Sequence, residues 1–358
     1  MPTKGGYDMT KRVMVGDVAI GAGAPVSIQS MTNTDTRDHV ATSEQIKRLS
    51  EAGADIVRFS VYDAECVQAI DKIKKMTDVP LVADIHFDYR LAIDSIKHGI
   101  DKIRFNPGNI GDAANVKKLV AAAKERNVPI RIGVNGGSLE KELLAKYGKP
   151  TPEAMVESAM GHIRILQNEN YDNVVVSLKA SNVKDTVAAY TLMHQKSDLP
   201  LHVGVTEAGH GESALVKSSI GIGMLLLSGI GDTIRVSMTG DPVQEVEAAK
   251  LILASVGLKN SGVEIVSCPT CGRTPVDLEP IVLYVKKALS DIKQSMKVAV
   301  MGCVVNGPGE AREADIGIAF GKGSAAVFKG GEMLFTAPTE EAIERLIAEA
   351  RMMARVLT

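Results

Sequence analysis

Eight short apolar runs rich in β-branched residues, each followed by a stretch of helical periodicity, constrain the fold of this chain more than any other feature. The runs are VSIQSM (26–31), DIVRFSV (55–61), LVADIHF (81–87), KIRFNPG (102–108), IRIGVN (130–135), NVVVSLKAS (173–181), LHVGVTEAG (201–209) and TIRVSM (233–238). Between them, segments such as TSEQIKRLSEAGA (42–54), GDAANVKKLVAAAKERN (111–127) and TPEAMVESAMGHIRILQNEN (151–170) repeat apolar residues at helical spacing. They open on Thr, Asp or a similar N-cap, and several close on Gly or Asn. Strands alternating with helices predict parallel pairing. Eight such units in about 250 residues match a (β/α)8 TIM-type barrel. A doubly wound open sheet competes, but no G-x-G-x-x-G turn follows the first run.

The texture changes near residue 258, which divides the chain into a barrel domain, 1–258, and a small α+β domain, 259–358. In the second part GLKNSGVEIVSCPTCGRT leads to a helix (DLEPIVLYVKKALSDIKQ), a strand (KVAVMGC), a second strand (DIGIAFG), a hairpin (AAVFKGGEMLFTA) and a last helix (TEEAIERLIAEARMMARVL).

Composition excludes several functions. A net charge of −2 without long Lys or Arg runs lacks the electrostatic footprint of nucleic-acid binding. Aromatic content of 4% with no Trp supplies no base-stacking platform. The N-terminus has no secretory signal pattern, and the longest apolar stretch, IGIGMLLLSGIG (220–231), is too short and Gly-rich to span a bilayer. A soluble cytoplasmic protein is expected, in which four cysteines are better metal or redox candidates than disulfide partners.

Three of those cysteines lie in the small domain: Cys268 and Cys271 in SCPTCGRT, and Cys303 in MGCVVNGPGEA. If the strands before them lie side by side, the three thiols meet. The last histidine in the chain is His210, so no local Cys₃His zinc site can form. A thioredoxin-like dithiol would leave Cys303 idle. Three soft thiolates without imidazole favour an iron-sulfur cluster, whose fourth ligand is then an oxygen donor, water or substrate. Glu310, seven residues after Cys303, offers a carboxylate, although an N-cap or solvated role accounts for it equally well. Cys66, in a helical pattern of the barrel, reads as core.

The barrel runs carry an unusual set of charges. Arg58, Arg104, Arg131, Lys179 and Arg235 all sit inside apolar strands, against the carboxylates of Asp84 and Glu207. Burying an unpaired cation is expensive. Two carboxylates cannot neutralise five cations, so the surplus predicts an anionic ligand, and guanidinium forks suit phosphate oxygens. Asn106, Asn135, Ser177, Thr206 and Ser237 stand next to the cations and can complete the contacts. His86, two residues past Asp84, is a candidate proton donor.

C-P-T-C-G-R-T followed by M-G-C-x-V-N-G-P-G-E, after eight βα units, resembles the 4-hydroxy-3-methylbut-2-enyl diphosphate synthase family. The resemblance extends along the whole chain through IQSMTNTDT (28–36), RFNPGN (104–109) and VTEAG (205–209). It implies a [4Fe-4S] cluster held by Cys268, Cys271, Cys303 and, at rest, Glu310. It also implies reductive ring opening and dehydration of 2-C-methyl-D-erythritol 2,4-cyclodiphosphate, with Glu310, Asp84, Glu207 and His86 as catalytic candidates. Electrons would come from reduced flavodoxin or ferredoxin. A homodimer is implied in which each cluster domain caps the partner's barrel. The remaining alternative is a sugar-phosphate lyase or aldolase barrel with a structural metal domain.

Overall fold

The computed structural model describes residues 9–106, 113–260 and 262–356. Pro107, Gly108 and Asn109 of the RFNPGN run, and Gly111 and Asp112 at the head of the next helical segment, lie outside the described residues. The chain separates into two compact units that part between Leu258 and Lys259.

The first unit opens with an antiparallel hairpin of β1 (Val13–Val15) and β2 (Val18–Ile20). Eight parallel strands follow: β3 (Ser27–Met31), β4 (Ile56–Ser60), β5 (Leu81–Asp84), β6 (Lys102–Arg104), β7 (Ile130–Asn135), β8 (Val174–Lys179), β9 (His202–Val203) and β10 (Thr233–Ile234). Their lateral order is β8-β7-β6-β5-β4-β3-β10-β9, and a parallel bridge from Val176 to Leu201 joins the two ends of the row. Each of the eight apolar runs contributes one strand. The last two are shorter than their runs, and the backbones approach closely just past them: a side chain on Gly204 would meet the Arg235 carbonyl at 2.4 Å.

The intervening helices start where the sequence offers side-chain caps. Asp38, Asp63, Thr151, Asn182 and Asp241 each accept a hydrogen bond from a backbone N–H of the first turn. Gly53, at φ 110°, ends the first helix in the left-handed conformation.

Register decides which strand residues face inward. Met31, Arg58, Val82 and Lys102 pair in sequence across β3 to β6, and Asp84, Arg104, Arg131 and Val175 do so across β5 to β8. Alternate residues on these strands, among them Val57, Phe59, Ala83, Ile103, Ile130, Ile132 and Val176, join one large core cluster with the helices. Strand side chains alternate between faces, so every charged strand residue points into the lumen. Barrel interiors are usually filled by branched apolar residues, and this one departs from that rule.

The β1–β2 hairpin was not anticipated from the sequence. Val15 and Ile20 pack on Ile56 and Val82 at the entry of β4 and β5. Thr10 donates to Asp232 at 2.7 Å, just before β10, so the segment covers the N-terminal end of the barrel.

The second unit is a five-stranded sheet in sequence order: β11 (Val263–Ser267), β12 (Met296–Met301), β13 (Ile316–Phe320), β14 (Ser324–Lys329) and β15 (Glu332–Pro338). The first three strands are parallel and the last two antiparallel. Helices Leu278–Ala288 and Thr339–Val356 cover one face through Val298, Val300, Ile316 and Ile318. The other face, through Ala299, Met301 and Ala319, takes only the six-residue helix Gly307–Arg312. The NGPGEA run supplies the start of that helix, with Asn306 at its N-cap and Pro308 in its first turn. Cys66 is fully buried in the barrel core, as read from the sequence.

Candidate functional sites: a cationic lumen and a thiolate pocket

Seven of the lumen residues named from the sequence, Arg58, Asp84, Arg104, Asn106, Arg131, Ser177 and Lys179, are buried. Asp84 sits between two guanidiniums, 3.7 Å from Arg58 Nε and 3.4 Å from Arg104 Nη1. Burial pushes its carboxyl up, but Arg58 and Arg104 outweigh that and hold it at about 2. Asp84 is therefore an ionised counter-ion at neutral pH. Arg104 Nη2 also donates to the Gly133 carbonyl at 2.9 Å. Gly133 is required there, since a Cβ would lie 2.7 Å from Arg104 Nε. Asn106 brackets the same glycine, donating to its carbonyl and accepting from its N–H, both at 2.8 Å. Asn106 thus fixes the Gly133 backbone whose carbonyl accepts from Arg104.

The remaining cations are poorly compensated. Arg58 donates to the Met31 sulfur at 2.9 and 3.1 Å, a weak acceptor. Burial pushes its guanidinium down to about 10. Arg131 reaches only Ser177 Oγ, at 3.5 Å, leaving Nε and Nη2 without partners among the described residues. Burial, then the charges of Arg235 and Arg58, push the Lys179 ammonium well down. A diphosphate would supply the acceptors these groups lack.

The charge pairing expected in the lumen needs one correction. The second carboxylate serving the lumen is Glu245, on helix Pro242–Ser255, 3.4 Å from Arg235. Glu207 is exposed at φ 52° and forms no ion pair among the described residues. His86 is also exposed, with its ring 6.0 Å from that of Phe87. Asn135, Thr206 and Ser237 are half-buried at or just past the C-terminal ends of β7, β9 and β10. Lys102 and His202, both wholly buried, also belong to the lumen and escaped the sequence reading. Period-two counting back from Arg104 would have found Lys102.

In the second unit, pairing of Ser267 with Val300 brings the ends of β11 and β12 together. Cys268, Cys271, Cys303 and Glu310 all line one cavity of about 190 Å³ there. Gly302 N–H donates to Cys268 Sγ at 3.2 Å. Backbone and side-chain N–H groups of Arg273 hold the Cys271 thiol below its ordinary range. Backbone N–H groups of Val305 and Asn306, then Gly307, do the same for Cys303. Donors of this kind favour thiolates, the form that binds metal. Sequence reasoning did not single out Arg273.

Among the described residues, no three His, Cys, Asp or Glu side chains converge tightly enough to grip one metal ion. A zinc ion needs every ligand within about 2.0–2.3 Å of one centre. Three thiols and a carboxylate spread around a cavity fit a multi-iron cluster, whose cysteines bind different irons, better than a single ion.

Fold and site together define a class: (β/α)8 barrel chains that carry a cysteine-bearing α/β domain at their C-terminal side. The chain belongs to the GcpE family, matching the GcpE TIM-barrel domain over residues 10–250 and the GcpE protein C-terminal domain over 264–352. It is 56% identical to a protein of Caldanaerobacter subterraneus subsp. tengcongensis over 97% of this chain and 98% of that one. It is 55% identical to one of Clostridium perfringens, over 94% and 97%. A Geobacter sulfurreducens protein is 55% identical over 95% and 96%. All three are named 4-hydroxy-3-methylbut-2-en-1-yl diphosphate synthase (flavodoxin).

Proposed function

We propose that this chain converts 2-C-methyl-D-erythritol 2,4-cyclodiphosphate to (E)-4-hydroxy-3-methylbut-2-enyl diphosphate in the methylerythritol phosphate route to isoprenoids. The reaction takes up two electrons, opens the cyclic diphosphate and expels the C3 hydroxyl as water. The observation that carries this reading is the convergence of Cys268, Cys271, Cys303 and Glu310 on one cavity in a member of the GcpE family.

Cys268, Cys271 and Cys303 would hold a [4Fe-4S] cluster, with Glu310 as the exchangeable oxygen ligand. When bound, such a cluster supplies single electrons to the substrate. Arg58, Arg104, Arg131, Lys179 and Arg235 clamp the diphosphate, and Asn135, Ser177, Thr206 and Ser237 complete its hydrogen bonds. Asp84 orients Arg58 and Arg104, and because it is ionised it serves as counter-ion rather than proton donor. Glu207 and His86, both exposed, are the candidates for delivering protons.

Reduced flavodoxin or ferredoxin supplies the electrons; the printed names of the relatives support flavodoxin. The chain works as a homodimer in which each cluster domain caps its partner's barrel. An exposed apolar stripe on helix Gly211–Leu227, formed by Val216, Ile220, Met224 and Leu227, supports pairing through the barrel. Four free cysteines support a reducing, cytoplasmic setting. Among the described residues, no helix is long and apolar enough to cross a membrane.

The test is anaerobic purification, iron and sulfide analysis, and turnover of the cyclodiphosphate with reduced flavodoxin. A brown protein that forms the allylic diphosphate is expected. Glu310→Ala should keep its iron and lose most turnover. Colourless wild-type protein, or iron-loaded protein that leaves the cyclodiphosphate intact, would sink the reading.

A further inference from the structure

The barrel lumen contains an amine that the pairings described above do not use. Lys102 is wholly buried, faces inward in register with Val82, and its Nζ has no hydrogen-bond partner among the described residues. It lies two residues before Arg104 on the same inward face of β6, in the register row that contains Arg58 and Val82. The charges that act on it are Arg131 from β7 and Arg58 from β4. His202, from β9, also feels its charge and has neither ring nitrogen partnered. Asp84 on β5 is engaged by Arg58 and Arg104, and Glu245 by Arg235, so neither carboxylate pairs with Lys102. Lys179 on β8 adds a further positive charge to the lumen.

Without an anionic ligand, such a cluster resists carrying every positive charge. Guanidiniums keep their protons in proteins, whereas a buried amine gives its proton up. Burial, then Arg131 and Arg58, push the Lys102 ammonium well down. Without a bound anion beside it, the Lys102 amine therefore resists taking a proton. Phosphoryl oxygens seated on the guanidiniums would cancel the field that opposes its charge.

We propose that Lys102 is a positioning residue that takes up one proton from solvent when a diphosphate seats on Arg58, Arg104 and Arg131. A cation then stands beneath the ligand only while the ligand's negative charge is there to balance it. This deepens the cyclodiphosphate reading and rests on it. Linkage makes the coupling reciprocal, so lowering the pH tightens binding.

The experiment is calorimetric titration of the full chain with 2-C-methyl-D-erythritol 2,4-cyclodiphosphate near pH 8, in two buffers of different ionisation heat. Each phosphorus of the cyclic diphosphate bears one strongly acidic hydroxyl, so the ligand does not itself titrate there. Wild type should take up on the order of one proton per ligand, and its dissociation constant should fall as the pH is lowered from about 9 to about 7. Lys102→Met should bind more weakly, by roughly tenfold, with that uptake gone. Lys102→Arg, permanently charged, should bind without uptake. Packing alone would leave uptake unchanged. Wild-type binding without uptake overturns the role of Lys102, as does uptake that survives Lys102→Met and disappears in Lys179→Met. If both Lys102 variants fail to fold, uptake that persists in Lys179→Met supports Lys102, and uptake lost there overturns its role. Wild type that binds no cyclodiphosphate in either buffer sinks the substrate reading and this proposal with it.

Discussion

The lumen and the thiolate pocket solve opposite problems. Arg58, Arg104, Arg131 and Lys179 stand on strands, buried and locked by register, so their geometry exists before any ligand arrives. Cys271 and Glu310 are exposed, and the pocket is built on turns and a six-residue helix. One site is rigid and carries a charge excess that the barrel core must support. The other includes Thr270, a β-branched residue held at φ 39° between its first two cysteines, and metal binding itself supplies free energy to fix such ligands. The fold preorganises the first site and largely leaves the second to its occupant.

The hardest test of this contrast is Cys303→Ser. Iron content should fall from roughly four atoms per chain to near zero, while far-UV circular dichroism and the melting of the barrel stay as in wild type. Joint loss of iron and barrel structure would show that the two sites are not separable. Arg104→Ala is the converse experiment. Cyclodiphosphate binding should weaken by about 2–4 kcal/mol, roughly 30- to 1000-fold, at unaltered iron content. An unchanged dissociation constant would remove Arg104 from the clamp.

The smallest effect concerns stability. Unfolded Lys102 keeps its proton up to about pH 10.4, while the folded chain releases it at lower pH. Protons therefore favour the unfolded state across that interval, and stability rises with pH through it. Lys102→Met should raise the melting temperature by several degrees near pH 7. The gain should shrink toward zero as the pH approaches about 10. A gain independent of pH would point to packing instead of ionisation.

The sequence showed most of this architecture for a physical reason. Eight β-branched runs fix the barrel, and each cation inside a run is conspicuous against apolar neighbours. Lys102 was missed because it opens its run and looks like a polar strand end; only register with Val82 turns it inward. Glu245 was missed because it lies on a helix ten residues from Arg235, and a contact across that separation leaves no trace in local periodicity. The hairpin had a signal, since Gly16 and Asp17 separate two short apolar runs as a two-residue turn does. The cysteines were legible in themselves, but the N–H groups that lower the Cys303 thiol come from a backbone turn that no residue type announces.

The hairpin at the N-terminal end of the barrel has a consequence for traffic. Val15, Ile20, Ile56 and Val82 are all fully buried in the plug it forms. The lumen is therefore a blind well rather than a tunnel. Whatever enters past Arg58 and Lys179 must leave by the same opening, so a spent molecule has to clear the mouth before a fresh one can descend.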